Sequence, residues 1–98
     1  MIVAATTTDL MDRSRITSAI PEVRFSLDAP ADVVIVDLAR GAARVAEIRM
    51  AMPDARIVGY GPHVDDHTAS AARNAGADAV LPRSRFFRDP AAAIASHE

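Results

Sequence analysis

Four short apolar runs recur along the chain, and longer stretches with the apolar spacing of a helix separate them. The strongest run, at positions 33–36, consists of four consecutive β-branched residues. Because such a run is apolar on both faces, it predicts a central strand with helices packed on each side. The other three runs lie at 2–5, 57–60 and 79–81. Strands that alternate with helices predict an α/β fold with a parallel sheet and right-handed crossovers.

Capping and breaking residues indicate where the helices begin and end. Hydroxyl and carboxyl side chains at 6–9 suit the N-cap of a first helix, and Pro21 ends it. The apolar face of this helix is predicted to contain Leu10, Met11, Ile16 and Ile20. The later helices are predicted over 41–51, from Asp65 or Asp66 to the C-terminal cap Gly76, and from Pro90 onward.

The segment 22–32 does not fit this alternation. Positions 23–27 alternate like a half-exposed strand, but only a few residues separate them from the strand at 33–36. A crossover between parallel strands needs about a dozen residues or more. The segment is therefore either an edge strand with an abbreviated connection or an irregular link that replaces a full unit.

The composition excludes several kinds of chemistry. The 98 residues contain no Cys, no Trp and no Lys, so all eleven basic residues are Arg. Disulfides, thiolate metal sites and Schiff-base lysines are therefore excluded. A formal charge of −2 and a pI near 5.9 give no electrostatic reason to expect nucleic acid or a membrane as partner. We expect a single cytoplasmic domain over residues 1–98.

Three segments resemble, in the same order, parts of bacterial response-regulator receiver domains. Positions 31–38, ADVVIVDL, resemble the receiver's third strand, which ends at the aspartate that accepts a phosphoryl group. Positions 52–58 resemble the approach to the fourth strand, and 75–82 the segment through the fifth. The resemblance implies a flavodoxin-like (CheY-like) three-layer αβα sandwich with a parallel sheet of four to five strands. It also implies that the receiver's second helix is shortened or missing within 22–32.

The resemblance locates the receiver's chemical groups, and most of them are replaced here. Asp37 is the equivalent of the phosphoacceptor, whereas neutral Thr6 and Thr7 stand where receivers carry the acidic pair that holds Mg²⁺. Gly61 takes the place of the hydroxyl residue, and Arg83 that of the lysine. The resemblance therefore implies a pseudo-receiver without a metal or cofactor, and we expect Arg83 to pair with Asp37.

The function implied is a non-enzymatic signalling or scaffolding module that acts through protein contacts. Two alternatives stay open: Asp37 is a true phosphoacceptor, or the carboxyl edge of the sheet binds a small ligand or a metal with Thr6–Thr8, Asp37 and His63. A carboxylate that ends a strand also has a plain structural role, the capping of the next turn.

Two clusters have both a functional and a structural interpretation. Arg83, Arg85, Phe86, Phe87 and Arg88 have the composition of a protein interface, and receivers use this region for partners or homodimers. The structural alternative is that the phenylalanines pack on the sheet. His63, Asp65, Asp66 and His67 contain metal-ligating groups, but helix capping by one aspartate is the simpler interpretation.

Overall fold

The computed structural model describes residues 1–40, 42–62 and 65–95, with only the backbone of Arg40. Within these ranges four strands form one parallel sheet in the order β1-β2-β3-β4. The strands are β1 (Val3–Thr6), β2 (Val33–Asp37), β3 (Arg56–Gly61) and β4 (Ala79–Pro82). Each coincides with one of the four apolar runs, so the predicted parallel sheet is confirmed.

Strand β2 is the central strand that its sequence predicts. It pairs with β1 on one side, where Val33 lies opposite Val3, and with β3 on the other, where it lies opposite Arg56. Val34, Ile35 and Val36 are fully buried because helices cover both faces.

Five helices are present in the described parts of the chain. They are α1 (Leu10–Ala19), α2 (Ala43–Ala51), α3 (Asp66–Ala75), α4 (Arg83–Phe86) and α5 (Pro90–Ala95), with a 3₁₀ turn at Leu38–Arg40. Asp9 caps α1 by accepting from the backbone N–H groups of Met11 and Asp12, and Asp65 caps α3 in the same way. Gly76 ends α3 with φ of 121°, a conformation that favours glycine. None of these helices has the length and apolar character needed to cross a membrane.

The helices form a layer on each side of the sheet. Helices α1, α4 and α5 pack through Ile16, Phe86 and Ile94 on the face that contains Ile35 and Val58. Helices α2 and α3 pack on the opposite face; its buried side chains include Val34, Val36, Val45, Ile48, Ile57 and Ala72. The predicted three-layer αβα architecture is confirmed.

The segment 22–32 is an edge strand reduced to a single bridge. Arg24 pairs in parallel with Ala4 on the outer side of β1, and its N–H and C=O bond to the backbone of Val3 and Ala5 at 2.9 and 2.8 Å. The chain then returns to β2 without a helix. Of the two alternatives, the edge strand with an abbreviated connection is the one observed. The expected absence of the receiver's second helix is therefore confirmed.

Candidate functional site

The carboxyl edge of the sheet brings the predicted site positions together. Thr7 follows β1, Asp37 ends β2, Gly61 ends β3 and Arg83 follows β4. The strand register sets Asp37 beside Tyr60 and Gly61 beside Pro82. This convergence follows from topology, because parallel strands all present their carboxyl ends at one edge.

Asp37 is half-buried, and its two carboxylate oxygens both accept hydrogen bonds. The Thr7 hydroxyl donates to Oδ2 at 3.3 Å, and the Ala39 backbone N–H donates to Oδ1 at 2.9 Å. The second bond starts the 3₁₀ turn that follows β2, the local capping role that an aspartate at a strand end often takes. The remaining capacity of the carboxylate faces an open cleft.

The expected ion pair between Arg83 and Asp37 is wrong, because Arg83 pairs with Asp12. Its Nη1 and Nη2 donate to Oδ2 and Oδ1 of Asp12, both at 2.6 Å, in a two-pronged arrangement. The Asp12 side chain is 1% exposed and that of Arg83 is 34% exposed. The planar guanidinium is long enough to reach α1, and two parallel hydrogen bonds to a carboxylate are its preferred geometry.

Tyr60 completes this arrangement, and we refer to Asp12, Tyr60 and Arg83 as the buried triad. The Tyr60 hydroxyl donates to Asp12 Oδ2 at 3.0 Å. The hydrogen bonds from Arg83 hold the pKa of Asp12 below its ordinary value. Burial raises the pKa of Tyr60 well above 10, while the neighbouring Thr7 hydroxyl acts in the opposite direction. Thr7 thus lies between Asp37 and the buried triad.

The aromatic residues after β4 extend the buried triad into the core. The Phe86 ring stacks on the Tyr60 ring with centroids 4.8 Å apart and planes inclined by 8°. Phe87 meets Tyr60 edge-on at 5.2 Å, and the Arg83 guanidinium lies 5.0 Å from the Phe87 ring centroid. These contacts help to fix the position of Arg83.

Phe86 is not part of the predicted partner surface, because it is fully buried. Phe87 is half-buried, and Arg85 and Arg88 are exposed. The structural alternative, in which the phenylalanines pack on the sheet, describes Phe86 fully and Phe87 in part, because Phe87 packs against the same cluster while half-buried. The two phenylalanines lie at the end of α4 rather than at the start of the last helix, which begins at Pro90.

The first helix buries only part of the predicted face, namely Ile16 and Ile20. Leu10 and Met11 are 77% and 67% exposed, whereas Asp12 and Ile16 are buried. Buried residues thus recur with the spacing of one helical turn, and Asp12 occupies a place that an apolar residue usually takes. That spacing is the one signal in the sequence that could have identified Asp12 as a buried partner.

The short connection after Arg24 leaves a cleft of about 650 Å³ beside Asp37. Its lining includes Thr7, Thr8, Arg13, Phe25, Asp37 and Arg44. The Arg13 guanidinium lies 4.5 Å from the centre of the Phe25 ring, so part of the wall is a cation stacked on an aromatic. Apolar, hydroxyl and charged groups of both signs all line the cleft.

The residues at this edge do not fit a magnesium ion. Thr6 and Thr7 are neutral, and Asp9, a carboxylate of the same loop, accepts two N–H groups of α1 through Oδ1 at 2.9 and 3.0 Å. Mg²⁺ needs a near-octahedral shell that usually includes one or two carboxylates and substrate oxygens. Within residues 1–40, 42–62 and 65–95, no three His, Asp or Glu side chains group as a metal site.

The histidine and aspartate cluster has a structural role in the part that the structure describes. His63 lies outside the described residues. Asp65 is the N-cap of α3, and the Thr68 backbone N–H that it accepts lowers its pKa. Asp66 and His67 are exposed. Capping was the simpler interpretation, and Asp65 is the residue that does it.

No protein-family model and no curated protein matches the sequence. Solved structures do match its fold. A response regulator from Thermotoga maritima is 16% identical with a TM-score of 0.76, and the alignment covers 97% of this chain and 98% of that one. A CheY-like protein (tadZ) from Pseudomonas aeruginosa is 18% identical with a TM-score of 0.67, covering 86% and 87%.

A response regulator from Burkholderia pseudomallei, solved with a phosphorylated aspartic acid, calcium ion and citrate, is also similar. It is 18% identical with a TM-score of 0.73; 95% of this chain aligns, but it spans only 65% of that longer chain. The parallel sheet and its helix layers agree with these neighbours. The chain therefore has the fold of response-regulator receiver domains, the CheY-like type of α/β sandwich.

Proposed function

We propose that this chain is a pseudo-receiver: a signalling or scaffolding module that acts through protein contacts and does not run a magnesium-dependent phosphorylation cycle. The observation that supports it most is the pairing of Arg83 with Asp12. Arg83 is the basic residue expected beside Asp37, but it is bound to Asp12 by two hydrogen bonds of 2.6 Å.

Phosphoryl transfer to Asp37 lacks its electrostatic support. Charge that develops on phosphoryl oxygens is normally neutralised by a divalent ion and a nearby cation. Neutral Thr6 and Thr7 replace the ion's carboxylate ligands, and Arg83 is held by Asp12. Among the described side chains, Asp37 therefore has neither a metal-binding carboxylate pair nor a cation beside it, and we assign the chain no enzymatic activity.

Release of Arg83 toward Asp37 would be costly. It would leave the Asp12 carboxylate buried without its cation, and breaking a buried ion pair in this way costs about 3–5 kcal/mol in other proteins. Tyr60 and Phe87 hold the same guanidinium from other sides. The proposed module is thus fixed in one arrangement rather than switched.

The proposed protein contacts involve the region around β4 and its flanking helices. Arg85 and Arg88 are exposed there, while Phe87 and Arg83 are half-buried beside them. Arginine next to partly exposed aromatic surface favours an acidic protein partner. A second copy of the chain is the alternative occupant of this surface.

A second candidate function is the binding of a small ligand in the cleft beside Asp37. The specific observation in its favour is the volume of about 650 Å³, within the range of small-molecule sites, together with hydroxyl, apolar and charged lining groups. A thermal-shift screen of nucleotides and small metabolites tests this candidate.

Incubation with Mg²⁺ and a small phosphoryl donor, followed by intact-mass measurement, tests the main proposal. We expect no added phosphoryl mass on the wild type, as on the matched Asp37→Asn variant. Stoichiometric, acid-labile phosphorylation that disappears in Asp37→Asn would instead establish a working phosphoacceptor.

A further inference from the structure

A second cleft lies at the amino-terminal edge of the sheet, opposite the edge that contains Asp37. It is bounded by the start of β3 and the C-terminal ends of α2 and α3, with a volume of about 650 Å³. Its lining includes Arg49, Asp54, Arg56, Arg73, Gly76 and Asp78. Three guanidinium groups and two carboxylates therefore face one small region, an excess of positive charge.

One edge of the Arg56 guanidinium makes no hydrogen bond. Its Nε and Nη2 are buried and have no hydrogen-bond partner. These two nitrogens flank the same side of the planar guanidinium, so their N–H groups point in nearly parallel directions. That edge matches two oxygens of a carboxylate or phosphate group. Buried donors without partners are rare and call for an explanation.

Asp78, one of the two carboxylates of this cleft, is already used. Asp78 Oδ2 accepts from the Ile57 backbone N–H at 2.8 Å and from Arg49 Nη2 at 2.9 Å. Arg49 also donates to the carbonyl oxygens of Ala55 and Gly76 at 2.7 and 2.8 Å. Asp78 and Arg49 thus hold β3 and the end of α3 together and leave Arg56 unpaired.

Arg73 supplies a second cation at the same cleft. It lies in the last turn of α3 and its side chain is exposed. Across residues 1–40, 42–62 and 65–95, neither Arg56 nor Arg73 has a carboxylate within 4.0 Å. Two cations at one cleft without an acidic partner suit an anion from outside the chain.

We propose that this cleft binds a small oxyanion, a phosphate or carboxylate group, with the Nε and Nη2 edge of Arg56 as a two-pronged donor and Arg73 as a second cation. The edge is buried in this structure, so binding includes a rotation of the Arg56 side chain toward the cleft. The rotation replaces shielded, unpaired donors by charge-assisted hydrogen bonds. This site is separate from the proposed receiver-like site and does not depend on Asp37.

Titration of the full chain with inorganic phosphate at constant ionic strength, with acetate in a parallel series, tests the proposal. Nuclear magnetic resonance of the arginine Nε–H groups gives the readout. We expect a saturable shift of Arg56 Nε–H, with phosphate tighter than acetate if the natural group is a phosphate and the reverse if it is a carboxylate.

Variants separate this site from general attraction of anions to arginine. Arg56→Lys keeps the charge but removes the two-pronged edge, and we expect it to weaken phosphate binding about tenfold or more. Arg73→Gln removes the positive charge of an exposed side chain, and we expect it to weaken binding without loss of the fold. The exposed Arg88→Gln is the matched control and should bind as the wild type does.

Two results would overturn the proposal. One is an equal, non-saturating shift of all arginine Nε–H groups in the wild type. The other is unchanged phosphate affinity in Arg73→Gln and in Arg56→Lys, with the fold of each variant checked by circular dichroism. If Arg56→Lys does not fold, the wild-type titration and Arg73→Gln still decide the matter.

Discussion

At the scale of single residues, the placement of Asp12 determines what the carboxyl edge can do. The Asp12 side chain is 1% exposed. It accepts hydrogen bonds from both terminal nitrogens of Arg83 and from the Tyr60 hydroxyl. A carboxylate with three good donors is satisfied even without water. Among the side chains that the structure describes, Asp37, whose Oδ2 lies 3.3 Å from the Thr7 hydroxyl, pairs with no cation.

The buried ion pair predicts an uneven response to substitution. Arg83→Met leaves the Asp12 carboxylate buried without its cation, and we expect a loss of about 3 kcal/mol in the free energy of unfolding. For Arg83→Lys we expect a smaller loss in the free energy of unfolding than for Arg83→Met. A loss remains because an ammonium does not reproduce the two-pronged geometry. Urea denaturation measures the effects, with exposed Arg88→Met as a control expected within about 0.5 kcal/mol.

A double variant shows whether the two residues interact. Asp12→Leu combined with Arg83→Met should be less destabilised than the sum of the single variants, because neither charge is left unpaired. Simple additivity in this cycle would contradict the ion pair.

Tyr60 predicts a stability change at alkaline pH. Burial and the carboxylates of Asp12 and Asp37 raise its pKa in the folded state above the ordinary value of 10.0. The stabilising contribution is therefore complete below pH 10 and is lost as the pH rises above it, because the unfolded chain ionises first. The chain has a single Tyr, so phenolate absorbance reports Tyr60 alone. We expect it to appear together with unfolding; ionisation near pH 10 in a chain that stays folded would refute the buried position.

At the scale of elements, short local signals set the helix ends, while packing decides which helix face is buried. Asp9, Asp65 and Gly76 lie where capping rules place them, because a cap acts on backbone groups a few residues away. The buried face of α1 was predicted only in part: Ile16 and Ile20 are buried, but Leu10 and Met11 are exposed although they are more apolar than buried Asp12. Burial there depends on Arg83 and Tyr60, which lie far along the chain.

We expect a substitution of Gly76, the residue that ends α3, to be destabilising. Its φ is 121°, and a Cβ at this position would lie 2.8 and 2.9 Å from the Arg49 side-chain carbons. Gly76→Ala is therefore expected to destabilise the fold by about 1–3 kcal/mol, through backbone strain and displacement of Arg49. Thermal or urea unfolding measures this effect, and Asn74→Ala, at an exposed position of the same helix, is the control. An unchanged midpoint in Gly76→Ala would show that this conformation is not required.

At the scale of the whole molecule, the sheet assembles one edge from residues that are distant in sequence. Thr7, Asp37, Gly61 and Arg83 all reach the carboxyl edge, as the alternation of strands and helices predicts. The reduced edge at Arg24 then opens the cleft beside Asp37, since no helix covers that corner. The chain thus has the fold of receiver domains, with Thr7, Asp37, Gly61 and Arg83 at its carboxyl edge.

We predict that one carboxylate added beside Asp37 makes the melting temperature depend on Mg²⁺. Thr7→Asp sets a second negative charge beside Asp37, so the metal-free variant should melt below the wild type, and Mg²⁺ should raise its melting temperature. Thr8→Asp, at an exposed position of the same loop, is the matched control without that response. A comparable Mg²⁺ stabilisation of the wild type would show that a metal site already exists.

The sequence by itself determined the strands, the parallel α/β architecture and the set of residues at the carboxyl edge. These properties follow from local apolar spacing and from the geometry of parallel crossovers, which need no knowledge of side-chain contacts. Only the tertiary structure decided that Arg83 pairs with Asp12 and not with Asp37, and that Phe86 is buried. A long side chain can reach several carboxylates, and which one it meets depends on how α1 rotates against the sheet, which no local pattern specifies.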